Sequence, residues 1–85
     1  MTVAPAAPDA QPITWMNPRH GQAHIRARAV DGGGMEYELC VSGDTYVVRR
    51  LTYVQGRLRE VHESPDAVRD VAERLWADLL AGRAR

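Results

Sequence analysis

Apolar and polar positions alternate with period two from His24 onward, and the period lengthens to three and four after Ser64. Ile25, Ala27 and Ala29 fall on one side of a strand, with His24, Arg26 and Arg28 on the other. Asp31-Gly32-Gly33-Gly34 is a turn signal. Beyond it Met35, Tyr37, Leu39 and Val41 alternate with Glu36, Glu38 and Cys40, which predicts a hairpin with one apolar face and one charged face. Ser42-Gly43-Asp44 turns the chain into Thr45–Val54, its most β-prone run, and Gln55-Gly56 suits a two-residue turn into a fourth strand at Arg57–His62.

In the last segment Val68, Val71, Ala72, Leu75, Trp76, Leu79 and Leu80 share one helical stripe. Ser64-Pro65 reads as the start of that helix, with Ser64 as its cap, and Gly82 reads as its stop. The fold class that follows is α+β: a three- to four-stranded antiparallel meander with one C-terminal amphipathic helix packed on it. Residues 13–85 form a single small domain. Residues 1–12, MTVAPAAPDAQP, are small residues and prolines. They predict a disordered arm, neither a signal peptide nor a membrane span.

The third strand breaks the simple alternation. Tyr46, Val48, Arg50, Thr52 and Val54 take one side, and Val47, Arg49, Leu51 and Tyr53 the other, so both sides carry apolar bulk. A helix can cover only one of them. The other calls for the short Trp15-Met16 patch or a second polypeptide, most simply another copy of the chain in a two-fold dimer.

Composition narrows the chemistry. A chain of 85 residues without Phe, with much of its apolar share in Ala, has a thin core. Cys40 is the only cysteine, which excludes an internal disulfide and suits a reducing cytoplasm. All 11 basic side chains are Arg, which fits the codon bias of a GC-rich, actinobacterial-like genome better than it fits any one recognition site. The formal net charge of zero argues against a general polyanion binder.

No arrangement of chemistry-bearing residues stands out. His20, His24, Cys40 and His62 lack metal-ligand spacing. Ser42 and Ser64 read as turn and cap residues, and Gly32-Gly33-Gly34 lacks the Lys-Ser/Thr of a phosphate loop. No catalytic residue, cofactor or metal is expected. If the register sets Arg26 and Arg28 opposite Glu36 and Glu38, they form a cross-strand charge ladder on a solvated face. On the helix, Arg69/Glu73, Asp70/Arg74 and Arg74/Asp78 make a solvated outer side. The functional expectation is therefore a non-enzymatic binding or regulatory module that acts through protein contacts of its sheet, with Trp15, Tyr46, Arg49, Arg50 and Tyr53 as contact residues. The alternative is a nucleic-acid-binding regulator that uses Arg26, Arg28, Arg49, Arg50, Arg57 and Arg59.

Overall fold

The computed structural model describes residues 1–85. It contains β1 (His24–Val30), β2 (Met35–Ser42), β3 (Thr45–Val54), β4 (Arg57–Glu63) and α1 (Arg69–Leu80). The strands pair in chain order as one antiparallel sheet, with β1 and β4 at its edges. Turn chemistry sets this meander. Gln55 and Gly56 both have positive φ, 51° and 77°, as a two-residue hairpin of matching twist requires.

Helix α1 lies on β2 and β3. Its buried stripe is Ala72, Trp76 and Leu79, which meet Tyr37, Leu39 and Val48 of the sheet. That stripe is narrower than the periodicity predicts, because Val68 and Val71 stand in solvent at 65% and 52% exposure. Val68 falls outside the helix because the helix starts late, at Arg69. β4 ends at Glu63, which leaves the first half of β3 without a strand on that side. The backbone groups of Tyr46 and Val48 still need partners. Residues 64–67 supply them in extended form: Tyr46 and Ala67 exchange two backbone hydrogen bonds, and the Ser64 N–H donates to the Val48 carbonyl. Ser64 is thus not a helix cap. Its Oγ accepts the Val48 N–H at 2.8 Å, and the residue before the helix, Val68, makes no side-chain cap bond.

The helix end matches expectation. Gly82, at φ 78°, donates to Leu79 O, and Arg83 donates to Asp78 O, the paired bonds of a Schellman motif. A side chain at Gly82 would also strike the Pro5 carbonyl, so the position requires glycine twice over.

Residues 1–12 differ most from their composition. They are laid down along the body, with Val3 in the core at 4% exposure. Val3 N–H donates to Val30 O beside β1, Ala4 N–H to Leu80 O, and Ala7 N–H to Gly82 O. Gln11 bonds both Arg83 and Arg85. What holds the arm is backbone hydrogen bonding to the helix end and the β1 edge. That pairing is independent of side-chain size, so a run of Ala and Pro gives no sign of it. Trp15 then packs on the helix side of the sheet, and Met16 pairs with Glu63 at the β4 edge. No helix is long and apolar enough to cross a membrane.

The buried Ser64–Val48 bond yields the first test. Ser64→Ala orphans a buried N–H at the end of the sheet and should lower stability by about 1–3 kcal/mol in urea denaturation. A loss confined to a few tenths would return Ser64 to the role of a peripheral helix-start residue.

Candidate functional site

The sheet face away from α1 has two halves. Since Met16 is bonded at β4 and His24 opens β1, residues 17–23 must cross the whole sheet. The span is four strand spacings, about 19 Å, within reach of seven residues. They cross on the face opposite the helix, where Arg49 Nη2 donates to the His20 carbonyl at 2.6 Å. This strap covers the part of the face that holds Cys40 and Val47, exposed by only 0% and 2%. Burial pushes the Cys40 thiol up to about 11, with the nearby Glu38 and Glu63 carboxylates adding to the rise and Arg49 opposing it.

A row of alternating charge runs beneath the strap. The register sets Arg28 opposite Glu38, Glu38 opposite Arg49, and Arg49 opposite Glu63, one residue from each strand. The ion pairs follow at 3.6 Å, 3.7 Å and 3.0 Å. The charge ladder expected between β1 and β2 is therefore present at Arg28/Glu38 and continues across the sheet. Glu63 is its buried end, at 0% exposure. One carboxylate oxygen accepts from Arg49 Nη2 and Nε, and the other accepts the Arg19 N–H at 2.8 Å.

The strap is tied down a second time beside Glu63. Arg19 Nη2 donates to Ser64 O at 2.7 Å and to Asp66 Oδ1 at 2.8 Å, and His20 Nε2 lies 2.9 Å from the same Asp66 oxygen. The His20 hydrogen bond, with the Arg19 charge adding to it, holds the Asp66 carboxyl below its ordinary value of 3.8.

The other half of this face carries no covering segment. Opposite positions on β3 and β4 place Leu51 by Val61 and Tyr53 by Leu58. Leu58 is 48% exposed, while Leu51, Tyr53 and Val61 are half-buried. Pro18, His20 and Gly21 of the strap border these residues in a shallow groove. Glu36 and Val30 continue the Leu51–Val61 row toward β1. Desolvation raises the Tyr53 phenol, and the nearby Glu36 carboxylate raises it further.

The five expected contact residues do not share a surface. Arg49 and Tyr53 lie on the strap face, but Arg49 is consumed by Glu38 and Glu63. Trp15, Tyr46 and Arg50 lie on the helix side. There the Arg50 guanidinium stacks 4.6 Å from the Trp15 ring centroid, and Trp15 Nε1 donates to Arg85 O. Trp15 thus anchors the N-terminal segment and covers the helix side of the sheet, not the strap side.

The alternative basic set is scattered as well. Arg28 is in the charge row, Arg57 and Arg59 are exposed on β4, and Arg26 lines a cleft beside α1. A bulge between Ile25 and Ala27 parts Arg26 from Arg28 and sets Ile25 opposite Cys40, against the simple alternation read for β1. The residues missed by pattern were Leu58 and Val61. Only the register of the last hairpin unites them with Leu51 and Tyr53. No three His, Cys, Asp or Glu side chains gather in an arrangement that would hold a metal. No protein-family model matches the chain, and neither a curated protein nor a solved structure matches it.

Two outcomes test the charge row and its tether. Glu63→Ala leaves Arg49, largely removed from water, without its nearest carboxylate, and should cost about 3–5 kcal/mol in chemical denaturation. A cost below about 1 kcal/mol would reduce the row to an ordinary surface ladder. Asp66 is more acidic folded than unfolded, so its contribution is complete above the ordinary carboxylate range and is lost as pH falls through its folded value. Asp66→Asn should flatten the fall in melting temperature between about pH 4 and pH 2. An unchanged slope would show that the tether carries none of the acid sensitivity.

Proposed function

We propose that this chain is a small non-enzymatic binding module that works through protein contacts of its sheet, as a homodimer joined across the uncovered half of the strap face. The observation that carries the reading is the exposure of Leu58 beside Leu51, Tyr53 and Val61, on a face whose Cys40 and Val47 are buried beneath residues 17–23. Burying such side chains removes apolar surface from water at about 25 cal/mol per Å². A compact domain gains from a partner there.

A second copy is the simplest occupant. In a two-fold arrangement the β3–β4 hairpin meets its own image, so one patch supplies both sides of the contact. Charges of both signs lie beside the patch, Glu36 on β2 and Arg59 in the bulge of the β4 edge. Opposed copies can therefore pair unlike charges at the rim. The polar rows of the sheet contribute little to this contact, because Arg28, Glu38, Arg49 and Glu63 already satisfy one another. The same internal pairing weakens the nucleic-acid reading, since Arg49 is committed to carboxylates and Arg50 to Trp15. Arg26, Arg57 and Arg59 remain for it.

Sedimentation velocity tests the dimer. With four large side chains at its centre, the contact should have a Kd on the order of 10 μM, so mass should rise with concentration across the micromolar range. Leu58→Glu should give a folded monomer, whereas Val48→Glu, on the helix side at 0% exposure, should fail to fold. A wild-type chain that stays monomeric to about 1 mM overturns the homodimer. Retention on heparin that falls steeply with salt would then favour the nucleic-acid reading.

A further inference from the structure

The helix side of the sheet has its own opening. α1 rests on β2 and β3 and leaves β1 largely uncovered. At the far end of β1 the N-terminal arm fills the gap, with Val3 packed among Ala29, Tyr37 and Leu79. Near the start of β1 nothing fills it, and a cleft of about 350 Å³ remains between the strand and the first turns of the helix. Its size comes from one small residue. Ala27 stands opposite Leu39 where a larger side chain would close the space.

The lining has two kinds of chemistry. Ala27 and Leu39 line its sheet side, and the rings of Tyr46 and Trp76 add aromatic surface. Three charges border it: Arg26, Arg69 and Glu73. Arg69 and Glu73 neutralise each other at 2.6 Å. Arg26 makes no ion pair with any carboxylate of the chain, because the bulge in β1 takes it out of the row that engages Arg28. The cleft therefore combines a lining more polar than apolar, two aromatic rings and one guanidinium without a carboxylate partner. A planar guanidinium is suited to bidentate pairing with a carboxylate, and pockets of this volume accept small organic molecules.

We propose that this cleft binds a small organic monocarboxylate with an aromatic or branched apolar body, its carboxylate paired with Arg26 and its body set between Tyr46 and Trp76. The site is separate from the dimer surface, since it opens on the opposite face of the sheet. Charge complementarity selects the class of ligand. One free cation beside a neutralised pair accommodates one negative charge and disfavours a cation.

The two tryptophans give a readout that needs no activity. Each has one indole N–H signal in a proton–nitrogen correlation spectrum, assigned by Trp15→Phe and Trp76→Phe. Phenylbutyrate is the probe, and phenylbutyramide is its uncharged twin. Phenylbutyrate should shift the Trp76 indole and the Tyr46 amide saturably, with a Kd of about 1 mM for so small an acid. The Trp15 indole should stay in place. The amide twin and the Arg26→Gln variant should each weaken binding about tenfold, the loss expected for one charge-assisted pair. Arg26 is exposed and outside the core, so that variant should fold as the wild type does.

No saturable shift at about 10 mM phenylbutyrate would overturn the proposal. Equal binding of acid and amide would overturn it too, by removing Arg26 as the anchor. Shifts confined to Leu51, Tyr53 and Leu58 would move the ligand to the other face and have the same result.

Discussion

The Glu63 carboxylate is the interaction on which the rest of the molecule turns. It is fully buried, and Arg49 and the Arg19 backbone supply the hydrogen bonds that its oxygens require there. Three separate pieces of chain meet at that group. Arg49 brings the centre of the sheet, Arg19 brings the strap, and Glu63 itself lies where the last strand gives way to the path toward the helix. Its backbone N–H and carbonyl both bond Met16 at the edge, and the register sets it opposite Arg49. A change there would loosen both faces of the sheet at once. The thin core of this chain makes such a polar junction matter more, because few large apolar side chains stand behind it.

The strands and the helix were legible because each is written in local periodicity and turn chemistry. The hairpin at Asp31–Gly34, the Gln55-Gly56 turn and the stop at Gly82 all lie where those residues suggest. The misreadings share a physical origin. Ser64-Pro65 is a good helix start by local rules, yet the backbone of β3 needed partners more than the helix needed an earlier cap, and residues 64–67 were drawn into the sheet. Ile25 obeys alternation until a bulge moves it to the other face. The first twelve residues have no side-chain pattern to read, since what docks them is their backbone.

The candidate surface was legible only in outline. Apolar bulk on both sides of β3 signalled that one side would need cover, and Leu51 and Tyr53 do lie on the side away from the helix. Trp15, Tyr46 and Arg50 were grouped with them by residue type, although aromatic and Arg side chains serve an interior anchor as readily as an interface. Arg50 and Trp15 instead stack on each other on the helix side. Leu58 and Val61, in a strand that otherwise reads as charged, become part of the same surface through pairing across the last turn.

The route of the N-terminal segment has a consequence for synthesis. Residues 1–16 pass from the β1 edge around the helix end to the β4 edge, and residues 17–23 return across the opposite face, so the first part of the chain encircles the sheet formed by the remainder. Its partners at Leu80, Gly82, Arg83 and Arg85 leave the ribosome long after it does. Residues 4–11 must therefore wait, unpaired, until residues 80–85 have emerged. The wrap can close only once residues 80–85 are available to receive it.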